Sequence, residues 1–569
     1  MLTNCLLILL ASAAIAANKP NLTGEWRLVA GRSQFARQAP PKSRVVQIDH
    51  REPTLRMTIV EEGAQGALDG TLFYSTDGVE RVNDVLGNPF KANTRWDGSV
   101  LEMRSNGRFG PNEISLHDRY ELSPDGRTLT LKRHFEGRSP SAPLDTQDQV
   151  LVHELVALRA GVARVDITPS ALMPMYGYAN RRCGPANGYH DPLFAKVLVL
   201  ESAVSRVAIV TLDLGSMVSD RLRREVAEKL NIPVLLLAAS HTHSAPFFLP
   251  QTLTPTSALG AAPSAAPAYL EETERKIFDA VQRASGSMFL ARLSVASGEA
   301  RLGYNRLLLR ENGRARAVFD NLERIPYGPL DPEFRLLEVG DASGAPRALL
   351  VHYATHSVVL GPTNCKYSAD YPGVMQAAIE AAVPGVQAMF VQGGAGDINP
   401  LFQGRTGKED EDFALVKRMG ELLAAEVVKS RSRLRPLAST SHPIRAKSEI
   451  LPFGDRWDKT RSHEVGISTV LIGREIAIAA LPGEAHHKLQ TMWKEQAGVD
   501  FPLFYGYTFS SGGEWPGYLP DIRSAAIGGY GSDSTATRIE VSAGERILQR
   551  HLINLWALRG YWGTVPGQP

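Results

Sequence analysis

Two histidines one residue apart, His241-Thr242-His243, close a continuous apolar run from Val234 to Ala239. Such a run reads as a strand buried on both faces. Side chains two apart on an extended chain point the same way, so the two imidazoles share one face. They fall just past the carboxyl end of the strand, where open α/β sheets place their ligands. An imidazole there is a metal ligand, a general base or a satisfied structural group, and the pair alone leaves these open.

Five further motifs occupy loop-like positions after strands. They are Asn305-Arg306, Ala354-Thr355-His356, Gly393-Gly-Ala-Gly-Asp397-Ile-Asn399, Pro482-Gly483-Glu484, and Tyr518-Leu519-Pro520 with Tyr530. Histidine, glutamate and tyrosine can all hold zinc, and a catalytic zinc keeps few protein ligands and one open position. Spacing alone does not bring such distant residues together.

The elements that must position them alternate. From about Leu158 onward, strands are expected at 196–200, 207–212, 388–391 and, as a hairpin, 335–339 with 348–353. A two-stranded segment over 469–480 turns at Gly473. Helices are expected from Ser219-Asp220 to about 230, and over 269–285, 371–382, 410–431, 486–496 and 543–558. No internal repeat stands out. Before this region, alternating runs at 55–60, 100–104 and 128–132 are punctuated by Asp97-Gly98, Asn106-Gly107 and Asp125-Gly126. Short strands so spaced indicate a small antiparallel barrel or sandwich. A Ser/Pro loop at 139–143 precedes a last strand, 149–155.

Length bears on the organisation. The chain has 569 residues, 43% hydrophobic and 21% charged, with net charge +2. It is globular and holds more than one domain. A charge so near neutral, with no Lys/Arg run and no P-loop, excludes a nucleic-acid partner. Residues 6–16 form a short apolar block ending in small residues, a signal-peptide pattern that lacks only the usual basic start. No later stretch reaches the roughly 18 apolar residues of a span. The domains expected are a signal peptide (1–17), a β module (18–157) and a large α/β domain (158–569), exported to the periplasm or beyond the cell. Cys5 falls in the signal region. Cys183 and Cys365 are an even pair that an oxidising compartment could bridge or leave as thiols.

The large domain resembles the neutral/alkaline non-lysosomal ceramidases, zinc-dependent amidohydrolases. The residues that carry the resemblance are Ala160-Gly-Val-Ala-Arg-Val-Asp-Ile-Thr-Pro169, His190-Asp-Pro-Leu-Phe-Ala-Lys196, Ser240-His-Thr-His-Ser244, Thr355-His356, Gly396-Asp397 and Pro482-Gly-Glu484. More weakly, Gly24-Glu25-Trp26 and Ser123-Pro-Asp-Gly126 resemble lipocalin-like barrels. The family resemblance implies zinc held by His241, His356, Glu484 and Tyr518. His243 then contacts the substrate amide, Arg306 positions the substrate, and Tyr530, twelve residues past Tyr518, supports it. Asp397 is expected near the proton transfers. Asp213 and Asp370 are candidates for orienting a ligand histidine, whereas His190, His352, His486 and His487 read as structural.

One position departs from the family. Known ceramidases carry a serine nucleophile in Gly-Asp-Val-Ser-Pro, and this chain has Gly396-Asp-Ile-Asn399-Pro400. Their C-terminal immunoglobulin-like domain is also expected to be lacking. The fold class expected is an α/β catalytic domain, a mixed sheet with helices on both faces, behind a small all-β barrel or sandwich. The function expected is hydrolysis of an amide in ceramide or another N-acyl lipid by zinc-activated water, with Asn399 and Tyr530 donating to the developing oxyanion. An esterase, or an inactive lipid- or glycan-binding relative, is the alternative. The partner is a small-molecule or lipid substrate, with peripheral contact to a membrane surface allowed and no obligate protein partner required.

Overall fold

The computed structural model describes residues 19–560, apart from 37–38, 64–65, 182, 249–263, 438 and 535. The expected signal peptide and Cys5 lie outside the described residues. The chain divides into two compact units, Met1–Val156 and Ala157–Pro569.

The first unit is a ten-stranded, all-antiparallel sheet. Its outer strands, Gly66–Ser75 and Arg81–Val85, follow each other in sequence. The Asn83 side chain accepts from Phe73 N at 2.6 Å and donates to Phe73 O at 3.0 Å. This nearly closes the sheet into a barrel. Alternate residues line its core, among them Trp26, Ile48, Leu55, Met57, Leu101 and Leu131. The three alternating runs read from sequence fall in the strands Thr54–Gly63, Val100–Phe109 and Thr128–Arg138.

In the second unit one topology recurs three times. Each module has three antiparallel strands, a crossover helix, a fourth strand parallel to the third, and a long helix. The first module runs through strands Arg159–Asp166, Phe194–Glu201 and Arg206–Leu212, helix Asp220–Leu230, strand Val234–Ala239 and helix Ala266–Gly286. The second runs through Arg292–Glu299, Glu333–Gly340 and Pro346–Tyr353, helix Asp370–Ala382, strand Gln387–Gln392 and helix Glu409–Ser430. The third runs through Ile444–Gly454, Ser462–Ile472 and Ile476–Ala480, helix His487–Gln496, strand Phe501–Tyr505 and helix Ala543–Leu558. Local chemistry fixes the helix ends. Ser219 Oγ caps the first helix by accepting from Leu222 N, and Asn231 ends it in the left-handed region at φ 53°.

The expectation of helices on both faces of one sheet is corrected here. Each module's sheet carries helices on its outer face only. The inner faces of all three meet in one core, with Leu198, Ile209 and Leu236 against Leu337, Leu350 and Met389 and against Val470, Ile478 and Leu503. The strand Val234–Ala239 shows why its run is unbroken. Val234, Leu236 and Ala238 face this common core. Leu235 and Leu237 face the helices with Leu222, Val226 and Ile277. Both sides of the pleat are therefore dry. Burying each such Leu or Ile contributes about 1.5–3 kcal/mol, and Leu236→Ala would cost roughly 2–5 kcal/mol.

Candidate metal centre and cleft

The loops that follow the central strands of the three modules converge. His241 lies just beyond Ala239, His356 beyond Tyr353 and Glu484 beyond Ala480. One candidate ligand therefore comes from each module. All three are buried, at 1–3% exposure.

Backbone carbonyls orient the two histidines. His241 Nδ1 lies 2.7 Å from Gly215 O, and His356 Nδ1 lies 2.6 Å from Ala395 O. A carbonyl only accepts, so each Nδ1 carries a proton and each ring turns its Nε2 forward. Both Nε2 atoms face one carboxylate oxygen. Glu484 Oε2 is 3.1 Å from His356 Nε2 and 3.4 Å from His241 Nε2. His243 Nε2 is 3.3 Å from His241 Nε2. Burial holds His243 well below the usual imidazole range and pushes His356 down to about 4. Burial works to raise Glu484, yet the facing His241 outweighs it and keeps the carboxyl well below its usual range. With the Nε2 atoms unprotonated, this convergence is repulsive, and a metal cation among them would offset it. The ligating atoms of His241, His243 and His356 lie within 4.8 Å of one another. A set of imidazole nitrogens with one carboxylate suits zinc, so the residues fit the metal that the family implies.

The expected orienting carboxylates do not serve these rings. Asp213 accepts from Phe194 N at 2.9 Å and Gln376 Nε2 at 3.4 Å. Asp370 accepts from Leu360 N and Tyr371 N at 3.0 and 2.7 Å. Both tie backbone segments together.

Tyr518 is the parallel-strand partner of Glu484, so the two side chains share a face. Its hydroxyl lies beside the Arg306 guanidinium. Arg306 is 4% exposed and packs against three aromatic rings. Its Cζ is 5.2 Å from the Tyr518 ring centroid, 5.3 Å from that of Tyr530 and 5.8 Å from that of Phe319. Arg306 Nη2 donates to Gly396 O at 2.5 Å and Nη1 to Asn399 Oδ1 at 3.3 Å. Its Nε is buried and has no partner among the described residues. Asn399 is held from two sides, by Arg306 and by the Tyr304 hydroxyl. Tyr530 stands at the mouth, 39% exposed.

Asp397 is placed behind the cleft. Its Oδ2 takes His487 Nδ1 at 2.6 Å and Asn305 Nδ2 at 2.9 Å, and its Oδ1 takes His487 N at 2.8 Å. Against the effect of burial, His487 holds this carboxyl far below its usual range. Asp397 thus braces the loop that carries Asn399, and its carboxylate is taken up by His487 and Asn305. The other histidines behave as structural groups. His352 Nε2 bonds Phe504 O at 2.7 Å, and His190 stacks on Phe413 with centroids 3.6 Å apart.

Sequence reasoning missed the wall around His243. Tyr178 is edge-on to it at 4.8 Å, and Tyr176 at 5.7 Å. Gly177 sits between them at φ +95°, and a Cβ there would lie 2.2 Å from the His243 ring. Arg181 Nη2 donates to His243 O at 2.6 Å and its Nη1 to Asn364 O. The bridge Cys183–Cys365, with Cα atoms 6.0 Å apart, joins the two loops that supply these contacts. Tyr507 and Trp515 back His241, at 4.5 and 6.5 Å between centroids. A glycine between two tyrosines was the one available signal for the wall, since glycine marks close approach.

Residues 158–417 match the family model for neutral/alkaline non-lysosomal ceramidase, N-terminal. Over that span the chain is similar to the N-terminal region of that family. Among solved structures, neutral ceramidase from Pseudomonas aeruginosa is 19% identical at a TM-score of 0.58, covering 73% of this chain and 76% of its own. A ceramidase complexed with C2 is 18% identical at a TM-score of 0.58, covering 73% and 77%. At that identity these two establish likeness of fold. No curated protein matches the chain. The ceramidase match ends at residue 417, before Glu484, Tyr518 and Tyr530.

Proposed function

We propose that residues 158–569 form a zinc-dependent hydrolase of an amide bond in ceramide or another N-acyl lipid, and that residues 18–157 are an accessory lipocalin-like barrel. The observation that carries the metal is the buried convergence of the His241 and His356 Nε2 atoms on one Glu484 oxygen. Zinc, when bound, supplies a Lewis acid that polarises a carbonyl and acidifies water.

The chain's own residues do the rest. His241, His356 and Glu484 would hold the ion, with Tyr518 beside Glu484 as the fourth group. His243, neutral and walled by Tyr176 and Tyr178, receives the amide. Arg306 keeps a buried Nε–H without a partner, and a donor in such surroundings is worth most to developing negative charge. Asn399 holds Arg306 and does not attack, because an amide side chain is not a nucleophile. Two serine hydroxyls beside the histidines are engaged: Ser357 Oγ donates to Ser240 O at 2.7 Å, and Ser244 Oγ accepts from Asn364 Nδ2 at 2.9 Å. With an amide at position 399, this reading makes water the direct nucleophile, and no acyl-enzyme forms. The Cys183–Cys365 bridge supports export, since such bridges persist in oxidising compartments.

Elemental analysis of the purified protein, with a hydrolysis screen over ceramides, other N-acyl amides and esters, tests this. About one zinc per chain and amide turnover are expected, and His241→Ala should lose both. Full zinc occupancy in His241→Ala would overturn the ligand assignment. Zinc without turnover on any amide would favour the second reading, a binding-only relative, for which Asn399 in place of the serine is the supporting observation.

A further inference from the structure

Three arginines gather around the walled histidine. Arg181 Cζ lies 5.1 Å from the centroid of the Tyr178 ring, the ring that stands edge-on to His243. Arg405 belongs to the same group. The Tyr178 hydroxyl donates to Leu360 O at 2.9 Å. At the next residue, a Cβ on Gly361 would lie 2.7 Å from Arg405 Cγ and 3.5 Å from its Nε. Arg405 Nη1 donates to Asp320 Oδ1 at 2.5 Å. The side chain before Asp320, Phe319, packs on Arg306. Gln403 fixes this arrangement, since its Nε2 donates to the Tyr304 hydroxyl at 3.0 Å and to Phe319 O at 2.8 Å. The three charges act on one group in common. Burial pushes the Tyr178 hydroxyl up to about 12, and Arg405, Arg181 and Arg306 all work against that rise.

This cluster is short of negative charge. Arg181 directs its donors to neutral carbonyls, those of Tyr176, His243 and Asn364. Arg306 does the same with Gly396 O and the Asn399 amide. Asp320 pairs with Arg405, but its side chain is 73% exposed, so water and salt screen the pair. Asp370 also acts on the Tyr178 hydroxyl, and its carboxylate already accepts from Leu360 N and Tyr371 N. Asp397 is taken by His487, and Glu484 faces the proposed ion. Three guanidinium groups thus stand against two carboxylates. Each of the three keeps a buried Nε–H with no partner among the described residues. Burying an unmatched cation is costly, and burial pulls Arg181 down to about 10. A neutral substrate such as ceramide would leave the excess unmet. A monoanion would meet it, and a guanidinium fork pairs best with a planar carboxylate.

The anion must lie close to the scissile amide. Arg306 hydrogen-bonds the Tyr518 hydroxyl, and Tyr518 pairs in register with Glu484. The cations therefore adjoin both the groups that would hold the ion and the histidine that would receive the amide. We propose that the substrate of this site is an N-acyl amino acid, and that Arg405 is a specificity-determining residue which, with Arg306, receives its carboxylate; the bond that is cut rests on the function proposed above, whereas the anion site does not. In such a molecule the carboxylate stands one carbon from the amide nitrogen, so one short segment presents both groups. Water adds its hydroxyl to the acyl carbon and a proton to the nitrogen as the C–N bond breaks, releasing a fatty acid and an amino acid.

Turnover of N-lauroylglycine by the full-length mature protein, compared with N-lauroylethanolamine, tests this, because the two share an acyl chain and differ in charge. The kcat/KM of the wild type should favour the glycine conjugate on the order of tenfold or more, chiefly through KM. Added salt should lower that preference. Arg405→Gln should reduce it on the order of tenfold, Arg405→Lys should restore part of it, and Asp320→Asn, at an exposed carboxylate that competes for Arg405, should raise it. A wild type that favours the ethanolamide would overturn the proposal. So would a preference that Arg405→Gln and Asp320→Asn both leave unchanged, since the carboxylate would then sit elsewhere. Calorimetric titration with the same two amides reads the anion site without turnover. Tighter binding of N-lauroylglycine by the wild type but not by Arg405→Gln, with neither amide cut, would sink the hydrolase reading alone. Equal binding of both amides by the wild type would sink the anion site.

Discussion

Gly177→Ala separates two roles for His243, as a contact to substrate or as a metal ligand. The glycine occupies φ +95°, and an added Cβ would lie 2.2 Å from both Cγ and Nδ1 of His243 and 2.7 Å from Cδ2. Ordinary contact begins at roughly 3.5 Å, so the ring must retreat by about 1 Å. The backbone strain costs about 1–2 kcal/mol, which a protein with roughly 5–15 kcal/mol of stability survives. His241 and His356 are held by Gly215 O and Ala395 O and do not feel the change. A misplacement of about 1 Å at a reacting group costs on the order of 10²-fold in rate. The expected outcome is about one zinc per chain by elemental analysis, with kcat/KM on an N-acyl amide down on the order of 10²-fold. Loss of zinc would show that His243 is itself a ligand, in keeping with its place in the three-histidine cluster. Unchanged kcat/KM would refute any role for the ring in turnover.

Asn399→Ala removes the acceptor for a buried guanidinium, an interaction worth about 1.5–3 kcal/mol. It should lower kcat/KM by roughly 10–100-fold with zinc retained, and a covalent acyl adduct in quenched wild-type mixtures would overturn direct attack by water. Thiol titration of the denatured, unreduced mature chain should find no free thiol. Cys183→Ser with Cys365→Ser opens a loop spanning 182 residues and should lower stability by at most about 5 kcal/mol; unchanged Tm would count against the bridge. His352 and His551 are both pushed down to about 3 by burial. Between pH 6.5 and 3 the unfolded chain therefore binds more protons, and stability falls as the pH drops through that window. His551→Gln should make the fall shallower, and an identical slope in urea titrations would exclude His551 as a contributor.

Much of the second unit was legible because its signals are local. The helices at 220–230 and 543–558, the hairpin of 333–340 with 346–353, and the turn at Gly473 follow from caps, periodicity and glycine placement. Glu484, His241 and His356 were legible only through motif resemblance, because their meeting depends on how three sheets pack. The recurrence of one topology was invisible in sequence, since a shared backbone pattern needs matching apolar positions and not matching residues. Carboxylates were expected behind the ligand histidines, yet backbone carbonyls stand there, and a carbonyl leaves no mark on residue type. The partner of Asp397 was hidden for a related reason, because His487 lies ninety positions away.

The three-module design has a consequence for where this protein can be cut. The matched stretch, 158–417, stops inside the helix Glu409–Ser430, so it holds the first module and a second module that lacks most of its last helix. A fragment with those bounds would keep His241 and His356 but leave Leu350, Met389 and Ile209 without the Val470, Ile478 and Leu503 that cover them. Its chemistry would be incomplete and its interior would face water. A boundary drawn by resemblance is here not one at which the polypeptide can stand alone, and the proposed metal pocket gains its carboxylate, Glu484, only when the last third of the chain has been made.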